Sequence, residues 1–79
     1  MTKMPDITGR KLIRALKRDG WTVKSQKGSH FKLVKEGYRN FVVVPVHSGL
    51  TIPKGTLAII LRGAGLSVDE LVNLLKKGH

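Results

Sequence analysis

The chain contains no cysteine, which removes disulfide bridges and thiolate metal sites and leaves nothing pointing to an oxidising compartment. Acidic residues are also scarce. The 79 residues include only Asp6, Asp19, Glu36, Asp69 and Glu70, scattered or placed at expected helix ends, so no ligand set for a two-metal nuclease is visible. Neither a metal nor a small-molecule cofactor is expected. Long apolar runs are missing too: residues 41–46 and 57–61 fall far short of the roughly 20 needed to cross a bilayer. The first six residues carry no apolar stretch like that of a secretion signal. No membrane association is expected, and a cytoplasmic location fits best.

A chain of 79 residues has room for one modest core, so residues 1–79 read as a single domain. The hydrophobic content of 41%, arranged with readable periodicity, argues for a folded protein over a disordered basic tail. Charge is the most informative bulk property, because 15 Lys and Arg against 5 Asp and Glu give a formal net charge of +10. Residues 1–62 hold 13 of the basic and 3 of the acidic groups, and residues 63–79 hold 2 of each. The positive field therefore belongs to the first three-quarters of the chain. Such a field attracts polyanions, of which nucleic acid is the commonest in cytosol.

Thr8 is positioned to cap a first helix running to about residue 19, with Gly20 as its stop. At 100° per residue, Leu12, Ile13, Ala15 and Leu16 gather on one side. On the other, Arg10, Lys11, Arg14, Lys17 and Arg18 form a basic stripe. Two readings of that stripe stand: a solvated helix face, or a surface that meets a polyanion. The second gains from Arg10 and Lys11, which sit in the first turn, where the helix dipole disfavours cations, with no acidic residue at i+4 to balance them.

Three β-prone segments follow, at residues 21–26, 30–35 and 40–46. Trp21 and Val23 alternate with Thr22 and Lys24, and Phe31 and Leu33 with His30 and Lys32, as in strands with one face on a core. Lys27-Gly28 and Glu36-Gly37 mark tight connections, which makes an antiparallel meander. In the third segment Val42, Val43 and Val44 are apolar on both faces, and Pro45 cannot donate to a ladder, which places its end at an edge. An edge strand with an apolar outer side offers a surface for a partner protein.

Residues 46–53 read as a loop and 54–64 as a second helix burying Leu57, Ile60, Leu61 and Ala64. The Gly63-Ala64-Gly65 segment follows this helix instead of opening one, so it reads as a helix stop and not a nucleotide loop. Ser67-Val68-Asp69-Glu70 has the form of a capping box, opening a short third helix with Val68, Leu71, Val72, Leu74 and Leu75 inward. The expected fold is α+β: helix, three-stranded antiparallel sheet, helix, helix, with one sheet face covered and the other partly free.

Candidate chemistry falls to three histidines, His30, His47 and His79, of which the terminal His79 is given no role. His30 should project opposite Phe31 and Leu33, sharing its side with Lys32. An imidazole beside cations suits metal-free RNA cleavage, in which a base takes the 2′-OH proton and an acid protonates the departing 5′ oxygen. Lys27, Lys32 and the backbone N–H groups around Gly28 and Ser29 are placed to stabilise charge on the phosphorane. The residues alone leave open whether His30 is catalytic or an ordinary surface histidine after a hairpin. His47 stays open between capping the sheet, touching RNA and supplying a second acid/base group.

The order and spacing of Gly9-Arg10, Gly20-Trp21, Lys27-Gly28-Ser29-His30, Pro45-Val46-His47, Gly55-Thr56-Leu57 and Ala64-Gly65-Leu66 resemble the HicA (YcfA-like) toxin family over most of the chain. The resemblance implies a fold like the double-stranded RNA-binding domain. It implies ribosome-independent cleavage of mRNA by the toxin of a type II toxin–antitoxin pair, neutralised by a HicB-like antitoxin protein. It maps the family's catalytic histidine onto His30; the reading of the residues adds Lys27, Gly28, Ser29, Lys32, Arg10, Arg14 and His47 as those that would meet substrate. One departure is Phe31-Lys32-Leu33-Val34, more apolar than the family leads one to expect, which bears on substrate preference more than on activity. Two other functions compete with a ribonuclease: a non-catalytic RNA-binding module using the same basic faces, and a protein-interaction module whose charge speeds encounter with an acidic partner.

Overall fold

The computed structural model describes residues 3–77. Helix α1 spans Gly9–Arg18, with the Thr8 hydroxyl accepting a hydrogen bond from the Lys11 backbone N–H at 3.3 Å. Strands β1 (Thr22–Lys27), β2 (His30–Val34) and β3 (Val42–Pro45) form one antiparallel sheet in the order β1-β2-β3. Helices α2 (Lys54–Ala64) and α3 (Val68–Lys76) complete the chain, so the arrangement is the expected α+β order of helix, sheet, helix, helix. Gly65 takes the left-handed conformation (φ 69°) that ends α2, a region that carries no steric penalty for glycine.

The core follows the apolar periodicities. Leu12, Ala15 and Leu16 of α1 are fully buried against Leu33, Val42 and Val44 of the sheet and against Leu57, Ile60, Leu61 and Ala64 of α2. Helix α1 packs on α3 and on β3, while α2 packs on β3. The Ser67 capping box is complete: the Ser67 hydroxyl accepts from the Glu70 N–H at 3.1 Å, and the Glu70 carboxylate accepts from the Ser67 N–H at 2.9 Å. In α3, Leu71 and Leu74 are buried, Val68 and Leu75 pack partly against the core, and Val72 is half-buried outside it.

Besides Val72, other expectations need correction. Trp21 does not lie in β1 but just before it, buried with 1% exposure. Its indole N–H donates to the Asp19 carboxylate at 3.2 Å, and the same oxygen pairs with Lys35 Nζ. Val23 lies on the core side of the sheet, opposite Leu33, but is 38% exposed and not buried. The β1–β2 register shifts between Val23 and Ser25, β1 is an edge strand of the sheet, and every residue of it is exposed. Arg18 leaves the basic stripe as well, because its guanidinium donates to the Leu74 carbonyl at 2.9 Å and ties α1 to α3. His79 lies outside the described residues.

Candidate nucleic-acid interface

Directly opposed residues of an antiparallel pair point to the same face. Ladder partners therefore sort the sheet into an outer face, carrying Ser25–Lys32–Val43 and Lys27–His30–Pro45, and an inner face, carrying Val23–Leu33–Val42 and Gln26–Phe31–Val44. Leu33, Val42 and Val44 cover the core, which forces His30 and Lys32 outward. His30 is exposed at the first position of β2, opposite Lys27 on one side and Pro45 on the other.

The turn before His30 is built for access. Gly28 (φ 60°) is the first of two residues between paired Lys27 and His30, and Ser29 has no positive φ. Glycine in that first position is the mark of a II′ hairpin turn. A Cβ on Gly28 would meet nothing within 4 Å, so a ligand can reach the backbone there. The turn is anchored from the other side, since the Ser29 carbonyl accepts from the Val46 N–H at 2.7 Å. His47, exposed and two residues past Pro45, lies at this same end of the sheet, where its carbonyl closes a turn with the Leu50 N–H at 2.9 Å.

Lys32 is steered by an aromatic partner that sequence reasoning did not connect to it. Its Nζ stands 4.0 Å from the centroid of the Phe41 ring, a contact of about 0.5–1 kcal/mol at an exposed site. Phe41 and Val43 are 51% and 39% exposed, so the outer face around the histidine is both cationic and apolar.

Arg10 and Arg14 do not join His30 on this face. With Lys17 they rim a cleft between α1 and the uncovered side of the inner sheet face, whose apolar wall is Ile13, Val23, Phe31 and Val46. The candidates thus divide into two sets, His30 with Lys27 and Lys32 outside, and Arg10 with Arg14 over the cleft. The sets meet at one end of the sheet, where Val46 lines the cleft, hydrogen-bonds Ser29 and abuts Gly9.

Two of the five carboxylates form ion pairs and two open α3. Asp19 pairs with Lys35 at 3.2 Å and Asp6 with Lys54 at 2.7 Å, while Asp69 and Glu70 occupy the first turn of α3. The Lys54 ammonium holds the Asp6 carboxyl below its ordinary range, through its hydrogen bond first and its charge second. Among the described residues, no three His, Asp or Glu side chains cluster to hold a metal, and no helix is long and apolar enough to cross a membrane.

Together these features define a class, the small basic α+β proteins that present a histidine at an exposed sheet end. The sequence matches the family model described as the HicA toxin of bacterial toxin–antitoxin systems over residues 9–66, from the start of α1 to just past α2. The chain therefore belongs to the HicA toxin family and is of the toxin kind in a toxin–antitoxin pairing. No curated protein gives a significant match to the chain.

Proposed function

We propose that this toxin is an endoribonuclease acting on mRNA in the cytoplasm, with His30 as an acid/base catalyst and no metal. The observation that carries this reading is the placement of His30: an exposed imidazole between Lys27 and Pro45, beside an open glycine turn, in a toxin-family chain of net charge +10. A base removes the 2′-OH proton, the 2′ oxygen bonds to phosphorus, and the P–O5′ bond breaks as an acid protonates the leaving oxygen. The products are a 2′,3′-cyclic phosphate and a 5′-hydroxyl. Lys27, Lys32 and the Gly28-Ser29 backbone face the charge that develops, and His47, exposed at the same end of the sheet, is the candidate for the second acid/base role. Carboxylates scattered along the chain, with no three clustered among the described residues, support the metal-free assignment.

The test is cleavage of an mRNA in EDTA by wild-type protein and His30→Ala. Loss of cleavage in the variant with an unchanged fold is expected. Full activity of His30→Ala would reject the assignment, and activity that disappears on chelation and returns with Mg²⁺ would reject metal independence.

The second reading is a non-catalytic RNA-binding module. It is favoured by the absence of any side-chain hydrogen bond to His30 among the described residues, since acid/base histidines are commonly oriented by a partner. Salt-sensitive RNA retention without products would establish it. The partner protein we assign is a HicB-like antitoxin, and the apolar Phe41 and Val43 beside Lys32 give it a surface on the histidine face.

A further inference from the structure

The cleft under α1 has a composition that the outer face lacks. Its volume is about 250 Å³, with Arg10, Arg14 and Lys17 on the rim and no carboxylate among its lining residues. Two other cavities differ in kind: one near Asp19 and Glu70 carries acidic groups, and one near Met4 and Leu66 has a single cation, Arg62. The cleft wall is aromatic and aliphatic, from half-buried Phe31 to Val23, which is 38% exposed.

A ligand that suits this lining is apolar at its centre and anionic at its edges. A cavity of about 150 Å³ holds a benzene ring, and clefts for drug-sized molecules begin near 300 Å³. The space between those limits suits one nucleobase with part of its sugar. We propose that this cleft takes an unpaired base of the RNA, packed against Phe31 between Val23 and Val46, while Arg10, Arg14 and Lys17 bind the flanking phosphates. This deepens the ribonuclease reading, on which it rests for the identity of the polyanion.

Two consequences follow from position in the chain. A base enters a cleft of this size only when it is out of a duplex, so the favoured substrate is a single strand or a loop. Phe31 and His30 are adjacent residues on opposite faces of β2. A base held at Phe31 therefore sets which phosphate, as the strand rounds the sheet end, arrives at His30. The cleft is a specificity site, distinct from the histidine face.

The experiment uses His30→Ala protein, so that RNA is not consumed, with Val23→Trp added to fill the cleft mouth from its partly exposed position. Binding of a labelled unstructured strand of about ten nucleotides is compared with the same sequence as a duplex. Base–aromatic stacking corresponds to roughly 5- to 150-fold in affinity. We expect the single strand to bind more tightly than the duplex, and Val23→Trp to lose that factor on the single strand only, with the salt dependence unchanged. Phe31→Leu, which keeps an apolar side chain but removes the ring, should reproduce the loss if Val23→Trp disturbs the fold. Equal binding of strand and duplex, or single-strand affinity untouched by both variants, overturns the proposal. So does a cleft whose Val23 and Phe31 resonances are moved by an antitoxin but not by RNA, because the occupant is then a protein segment. Cleavage by wild-type protein separates the two readings. Cutting with a cleft indifferent to RNA leaves the ribonuclease and removes the base site, whereas cleft binding without cutting does the reverse.

Discussion

Gly9 in the first turn of α1 lies so close to Pro45 at the end of β3 that a Cβ at residue 9 would overlap the Pro45 carbonyl oxygen and come within 2.9 Å of Val46 Cγ2. This contact locks the start of the basic helix to the strand that pairs with His30. Backbone atoms do not yield as a flexible side chain does. Gly9→Ala should therefore destabilise the protein by about 1–3 kcal/mol, although helix propensity alone would favour Ala by about 0.5–1 kcal/mol. Gly55→Ala in α2, where a Cβ meets nothing within 4 Å, should show the propensity gain instead. Urea denaturation of both variants checks the pair, and a stabilised Gly9→Ala would mean that the close approach is relieved at little cost.

The α3 cap makes a second prediction. Ser67→Ala removes the acceptor for the Glu70 N–H and should cost about 0.5–2 kcal/mol. Since α3 packs on α1 through Leu71 and Leu74, the loss should appear in the global unfolding midpoint and not only as fraying of the last helix. Hydrogen exchange at the α1 amides distinguishes the two.

Asp6 and Lys54 provide a test in acid. The folded-state pKa of Asp6 lies below its ordinary 3.8, so the pair's stabilising contribution is fully present above that ordinary value and is lost as pH falls through the lowered one. The stability difference between wild-type protein and Asp6→Asn should be small, greatest near neutral pH, and absent in strong acid. Because the Asp6 side chain is 78% exposed, the difference should also shrink with added salt. A difference that grows in acid would contradict the assignment.

Arg10 and Arg14 should govern the salt dependence of RNA binding. Each phosphate contact on a single strand contributes about 0.7 to the slope of log K against log salt. Arg10→Ala with Arg14→Ala should therefore flatten the slope by about 1.4 in the His30→Ala background. An unchanged slope would return the stripe to an ordinary solvated helix face.

The elements themselves were legible in the sequence because their signals are local. Thr8 and the Ser67 capping box fixed where helices begin, Gly65 where one ends, and the 3.6-residue period in 54–64 named the four residues that α2 buries. Alternation in β2 likewise placed His30 and Lys32 opposite Leu33, since neighbouring strand residues must point to opposite faces. The limits of β1 were less legible. Nothing local marks the slip between Val23 and Ser25, which depends on how β1 meets β2.

What only the tertiary structure decided is which residues share a surface. The sequence by itself determined a basic α+β protein with an outward His30, because charge, period and turn chemistry are properties of short segments. It left open how the α1 stripe and the His30 side of β2 stand to one another. Packing placed them on different faces, took Arg18 to the end of α3, set Lys32 over Phe41, and opened a cleft beneath Arg10 and Arg14. Those outcomes depend on helix-to-sheet contacts between residues far apart in the chain, which no local pattern encodes.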